Sequence, residues 1–79
     1  MKGPDEIVDR FAKGLRKLLA AVKPYIDEQD WQEIVWEANE LLGGVASAVY
    51  VHFNIDPRFI EVDAEKGVVK IVKLPAEEQ

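Results

Sequence analysis

The apolar positions in the first third of the chain recur with the period of an α-helix. Intervals of three and four residues relate Ile7, Phe11, Leu15, Leu18, Leu19 and Val22. This spacing places them on one stripe of an amphipathic helix. Pro4 suits a first-turn position, and Pro24 disfavours helical geometry at the residue before it. The pattern therefore predicts a first helix over residues 4–23.

A second helix is predicted over residues 27–42. Asp27 is a suitable N-cap residue, and the pair Gly43-Gly44 is typical of a helix end. Trp31, Ile34, Val35, Ala38, Leu41 and Leu42 fall at core spacing. Two helices joined by a short connection are expected to pack antiparallel.

After the two glycines the apolar period changes from 3.6 to 2, which favours β-strands. We predict strands over residues 45–53, 58–63 and 67–74, followed by a tail at 75–79. The fold class is then α+β, in the order ααβββ. Two antiparallel helices pack on one face of a three-stranded antiparallel meander, in a single domain spanning residues 1–79. The alternative is that the second helix continues through LLGGVASAVYV, which two consecutive glycines and the following valines disfavour.

The register of the last hairpin follows from a comparison of loop lengths. A four-residue loop over 64–67 pairs Glu61 with Lys70 and keeps the other face uniformly apolar, whereas a five-residue loop sets Ile60 against Lys70. The preferred register forms the pairs Asp63–Val68, Val62–Val69, Glu61–Lys70, Ile60–Ile71 and Phe59–Val72. Gly67 is expected to take the left-handed conformation that closes the turn.

Composition narrows the classes of function. The 79 residues carry a formal net charge of −5, and there is no cysteine. A net negative charge disfavours nucleic acid as a partner. The lack of cysteine excludes disulfides and zinc ribbons and fits a reducing cytoplasm, which is the expected location. The longest nearly apolar run is too short to cross a bilayer, and the N-terminus lacks the apolar stretch of a signal peptide.

Trp36 breaks the helical pattern, because it falls opposite the core stripe and among acidic side chains. The mixed outer face of the predicted sheet also carries aromatic and apolar residues. Trp and Tyr often anchor protein interfaces. For Trp36 the alternatives are burial under the N-terminus or the tail, and simple exposure. The sequence therefore predicts a small protein-interaction or accessory module that self-associates as a homodimer, binds another protein, or does both. The predicted interface residues are Trp36, Glu33, Glu37, Glu40, Tyr50, Phe59 and Val72.

No residue pattern indicates catalysis, a cofactor or a small-molecule substrate. Ser47 is the sole serine and His52 the sole histidine, and the predicted strand turns them to opposite faces, so they cannot form a nucleophile–base pair. His52, Asn54 and Asp56 alternate along that strand and give at most a weak metal-binding pattern, for which a structural role is the simpler interpretation.

The basic side of the first helix provides an alternative function. Arg10, Lys13 and Lys17 cluster opposite its apolar stripe, where they could contact a phosphate backbone. No aromatic residues interleave with them. The ordinary interpretation is that this basic side and the acidic side of the second helix neutralise each other.

Overall fold

The computed structural model describes residues 3–73, with side chains as far as Ile71, and shows two helices followed by a two-stranded antiparallel sheet. Helix α1 is Pro4–Val22, a short 3₁₀ turn follows at Lys23–Tyr25, and helix α2 is Glu28–His52. Strands β1 and β2 are Pro57–Asp63 and Val68–Lys73. The α+β class is confirmed. The predicted tail at 75–79, and residue 74 of the last predicted strand, lie outside the described residues.

The prediction of a strand over residues 45–53 is wrong, because α2 continues without interruption to His52. Gly43 and Gly44 lie inside this helix instead of ending it. Each glycine costs about 1 kcal/mol relative to alanine in a helix interior. Burial of one large apolar side chain contributes about 1.5–3 kcal/mol. The inner stripe of α2 buries Leu42 and Tyr50 almost completely, so packing outweighs the local preference.

The end of α2 is set by Asn54 and not by the glycines. Asn54 has a positive φ of 63°, which places it in the left-handed region that asparagine tolerates better than most residues. The amide of Ile55 donates to the carbonyl of Tyr50 at 2.9 Å, and the amide of Asn54 donates to Val51 at 2.9 Å. This is the Schellman arrangement. Ile55 also packs against the cluster that contains Tyr50, which adds the apolar contact typical of this motif.

The two helices pack antiparallel, as predicted. Val8 near the start of α1 joins Ala46 and Tyr50 near the end of α2, and Leu19 joins Trp31 at the opposite end. Helix α2 begins with the expected N-cap, since the Asp27 carboxylate accepts a hydrogen bond from the Asp30 amide at 2.9 Å.

The buried side of α1 differs from the predicted stripe. Leu18 and Val22 are exposed, whereas Val8 and Ala12 are buried. The reason is that the hairpin turn lies against α1 at Ala12, where a small side chain lets the backbone approach. A Cβ added to Gly67 would lie 3.3 Å from the Ala12 carbonyl oxygen and 3.1 Å from the Arg16 Cβ. The position of the turn therefore rotates the buried arc of α1 away from Leu18.

The predicted hairpin register is confirmed at all five pairs between residues 59 and 72. Gly67 has a φ of 67°, as the four-residue turn requires. The inner face of the sheet, formed by Ile60, Val62, Val69 and Ile71, packs against the helical clusters. Both strands therefore cover the same side of α2 that α1 covers.

Side chains from α2 hold the hairpin turn in place. The Asn39 Oδ1 accepts a hydrogen bond from the amide of the fully buried Ala64 at 2.7 Å. The Trp31 Nε1 donates to Glu65 Oε2 at 3.1 Å, and the Lys23 Nζ lies 5.4 Å from the centroid of the Trp31 ring. The turn is thus fastened to α2 at two points and rests on α1.

Replacement of Asn54 tests the helix end. Asn54→Ala is expected to lower the free energy of unfolding by about 1 to 2 kcal/mol, because a Cβ without a polar group disfavours positive φ. Asn54→Gly should match or exceed the wild type, since glycine carries no such penalty. Urea unfolding followed by circular dichroism measures both. Equal losses for the two variants would contradict this account of where α2 stops.

Replacement of Asn39 tests the clamp on the turn. Asn39→Ala leaves the Ala64 amide without its acceptor and is expected to cost about 1 to 3 kcal/mol of stability. Asn39→Asp keeps an acceptor oxygen and should cost less. Urea unfolding measures the stability of both variants, and the alanine variant is expected to be the less stable one. An alanine variant as stable as the aspartate variant would show that the hydrogen bond contributes nothing.

Candidate functional site

The outward side of the first half of α2 carries a tryptophan surrounded by acidic residues. Trp36 is 61% exposed, and Glu33, Glu37 and Glu40 are also exposed. Glu33 and Glu40 lie three residues before and four residues after Trp36, so helical geometry makes them its neighbours on the surface. We call Glu33, Trp36, Glu37 and Glu40 the acidic face.

The acidic face is not neutralised by α1. Between described residues the structure has a single ion pair, in which the Lys13 Nζ lies 2.7 Å from Asp9 Oδ2 within α1 itself. Arg10 and Lys17 are exposed. The expected ion pairs between the two helices therefore do not form, and the carboxylates of the acidic face are exposed to solvent.

A shallow depression of about 610 Å³ lies beside Trp36 and is lined by Gln32, Glu33, Ile34, Trp36 and Glu37. Trp36 and Ile34 supply apolar surface, and the two glutamates supply carboxylates at the same place. Lysine and arginine side chains combine an apolar stem with a charged head, and both can rest a cation over an aromatic ring. The chemistry of this depression suits a basic side chain of a partner.

The other predicted interface residues do not join the acidic face. Tyr50 is 1% exposed, so its assignment to an interface is wrong. The error follows from the strand prediction, because a helix turns Tyr50 inward beside Ala46 and Val8. Phe59 is 56% exposed on the side of the hairpin that faces away from the helices. Val72 pairs with Phe59 along the backbone, and its side chain lies outside the described part of the structure.

The weak metal-binding pattern is not assembled. Asn54 occupies the left-handed turn after α2, so it does not share a strand face with His52 and Asp56. His52 instead lies at the end of α2, with its ring edge against Phe53 at a centroid distance of 5.5 Å. Within residues 3–73 no group of three or more His, Cys, Asp or Glu side chains is close enough to hold a metal ion.

A second surface was missed by the sequence analysis. Leu41, predicted as core, is 53% exposed, and Val51 is 60% exposed. Gly44 and Ala48 are exposed between them. These four residues lie at intervals of three, four and three along α2, which places them on one side of the helix; we call them the apolar stripe. Their common spacing was a usable signal, but the strand prediction obscured it.

No helix among the described residues is long and apolar enough to cross a membrane.

Tyr50 forms a polar contact at the partly buried junction of the two helices. Its hydroxyl donates a hydrogen bond to Asp5 Oδ1. Burial of the ring, together with the hydrogen bond to Asp5 and the negative charge of that residue, raises the pKa of Tyr50 from 10.0 to about 12. The contact links the start of α1 to the last turns of α2.

This pKa shift predicts a loss of stability at alkaline pH. In the unfolded chain Tyr50 ionises near its ordinary pKa of about 10, whereas in the folded chain it keeps its proton until about pH 12. Its contribution to stability is therefore fully present below about pH 10 and is lost as the pH rises toward 12. Urea unfolding across this range measures the slope. Tyr50→Phe is the control and should show a shallower decline, whereas equal slopes for both proteins would contradict the assignment.

The comparisons with known proteins give no relative for this chain. No protein-family model matches it, and neither a curated protein nor a solved structure shows significant similarity to it. The function is therefore inferred from the surfaces described above.

Proposed function

We propose that this chain is a small non-enzymatic protein-interaction module whose acidic face binds a basic patch on another protein. The observation that carries the proposal is Trp36, the largest apolar side chain of the outward side of α2, which stands 61% exposed among three glutamates. An exposed tryptophan supplies contact area, and tryptophan is enriched among the residues that dominate binding energy. The surrounding carboxylates supply attraction and orientation.

Charge supports a protein partner over a nucleic acid. The chain has a net charge of −5, and the one cluster that suited phosphate contacts, Arg10, Lys13 and Lys17, has Lys13 engaged with Asp9 at 2.7 Å. Nucleic-acid affinity depends on several unopposed cations. A basic protein surface, in contrast, complements the acidic face directly.

The sole serine and the sole histidine do not form a nucleophile–base pair, which supports a role without catalysis. Ser47 and His52 both lie in α2, five positions apart, where helical geometry does not turn two side chains toward each other. The lack of cysteine supports a cytoplasmic location, where thiols stay reduced and disulfides are not needed.

Trp36→Ala is expected to weaken partner binding without loss of the fold. The free energy of unfolding should change by no more than about 0.5 kcal/mol, as is usual for exposed positions. Binding should become weaker by about 2 kcal/mol, as for an interface hot spot. Affinity capture with the wild-type chain isolates the partner, and titration calorimetry on that partner measures the loss.

Two matched variants make this test decisive. Leu18→Ala removes an equally exposed apolar side chain from α1 and should leave binding unchanged. Trp31→Ala removes the buried tryptophan and should cost about 3–5 kcal/mol of stability. A partner that binds Trp36→Ala as tightly as the wild type would overturn the proposed role of the acidic face.

The carboxylates are expected to contribute through long-range attraction. The triple variant Glu33→Gln, Glu37→Gln, Glu40→Gln should slow association and flatten the dependence of affinity on salt. A control that removes three exposed charges elsewhere, Glu6→Gln, Glu28→Gln, Glu61→Gln, changes the net charge equally. If both triple variants lose the same affinity, the attraction arises from net charge and not from the acidic face.

A further inference from the structure

The outward side of α2 changes character after Glu40. From residue 41 to residue 51 the sequence LLGGVASAVYV contains no charged side chain. The inner side of this segment is covered by α1 and the hairpin. The outer side is the apolar stripe, in which Leu41 and Val51 are more than half exposed. Three turns of an exposed helix face thus offer water a mostly apolar surface without a charged group, with the half-buried Ser47 at its edge.

Gly44 has no role in the packing of the single chain. It sits in the interior of α2, where glycine is the least favourable residue after proline. A Cβ added at Gly44 would meet nothing within 4 Å, so no neighbour within the chain requires its absence. Ala48 follows one turn later on the same side. Small residues one turn apart leave a shallow groove in which another helix can approach closely.

We propose that a second copy of this chain packs on the apolar stripe, with the two α2 helices antiparallel. A two-fold symmetric contact requires that each residue of one copy face a defined residue of the other. The register that places Gly44 opposite Ala48 of the second copy also places Leu41 opposite Val51. Small residues then meet at the centre and larger ones close the ends.

Charge selects the antiparallel orientation. The first half of α2 carries Glu33, Glu37 and Glu40, and α2 contains neither lysine nor arginine. A parallel pair would stack these glutamates on their own copies and repel. The antiparallel register brings Glu40 opposite His52, the one basic side chain of the helix, and sends the two acidic faces to opposite ends.

The same charges argue against other occupants of the stripe. A basic protein would find no carboxylate within residues 41–51. An anionic lipid surface would be repelled by the acidic turns immediately before the stripe and by the net charge of −5. A second copy carries the same net charge, but the surface that it presents over residues 41–51 is uncharged, and in the antiparallel register its acidic turns lie at the far end of the contact.

Sedimentation velocity of the full chain tests the proposal. The wild type is expected to dimerise at micromolar to millimolar concentrations. Ala48→Glu should raise the dimer dissociation constant at least tenfold, because it places a carboxylate in the contact and near Glu40 of the second copy. Ala21→Glu, at an exposed alanine of α1, is the matched control and should dimerise like the wild type. Circular dichroism and urea unfolding verify that both variants keep the fold.

Orientation is tested by cross-linking, for which a chain without cysteine is well suited. An equimolar mixture of Gly44→Cys and Ala48→Cys proteins should oxidise mainly to the mixed dimer if the helices are antiparallel. Predominant 44–44 and 48–48 disulfides would show a parallel pair and overturn the register. A wild type that stays monomeric to millimolar concentration overturns the proposal. If this monomer also binds phosphatidylcholine or anionic vesicles, the stripe is a lipid-binding surface instead. Trp36→Ala should remain dimeric, which separates this surface from the acidic face.

Discussion

The turn of the β-hairpin, held between the two helices, decides which side of α2 is covered. The Asn39 side chain binds the amide of Ala64, and Gly67 rests against α1, where even a methyl group would crowd Arg16. With its turn fixed there, the sheet lies along the same side of α2 as α1 does. The core then forms on that side alone. The opposite side of α2 stays exposed along its whole length, and both proposed contacts lie on it.

The hairpin could be predicted in detail because local chemistry determines it. Opposite charges at Glu61 and Lys70 and a uniformly apolar inner face allow one register only, and the turn needs a residue that tolerates positive φ. The form of residues 45–53 could not be determined in this way. Valines and alanines fit an alternating pattern and a helical one equally well. Whether this segment forms a strand or a helix depends on Val8 and the inner face of the sheet. Ala46 and Tyr50 can both pack against them only when they lie on one helical stripe.

The same ambiguity limited prediction of the surfaces. Trp36 lies in a segment whose helical period is clear, so spacing alone placed it on the side opposite the core stripe. Tyr50 lies in the ambiguous segment, and its predicted exposure reversed with the change from strand to helix. Leu41 looked like core because the sequence does not reveal how wide an arc of α2 the neighbours cover. Local pattern gives the period of an element, but the covered arc depends on tertiary packing.

Unbroken helical structure through Gly43 and Gly44 joins the acidic face and the apolar stripe in one continuous helix. In an antiparallel pair the rise of about 1.5 Å per residue sets the two tryptophans roughly 30 Å apart along the common axis. Two basic patches at that spacing on one target would be engaged together, so that the second contact forms at a high effective concentration. The continuity of α2 would then set the separation of the two binding sites, so that targets are selected by the spacing of their basic patches as well as by their charge.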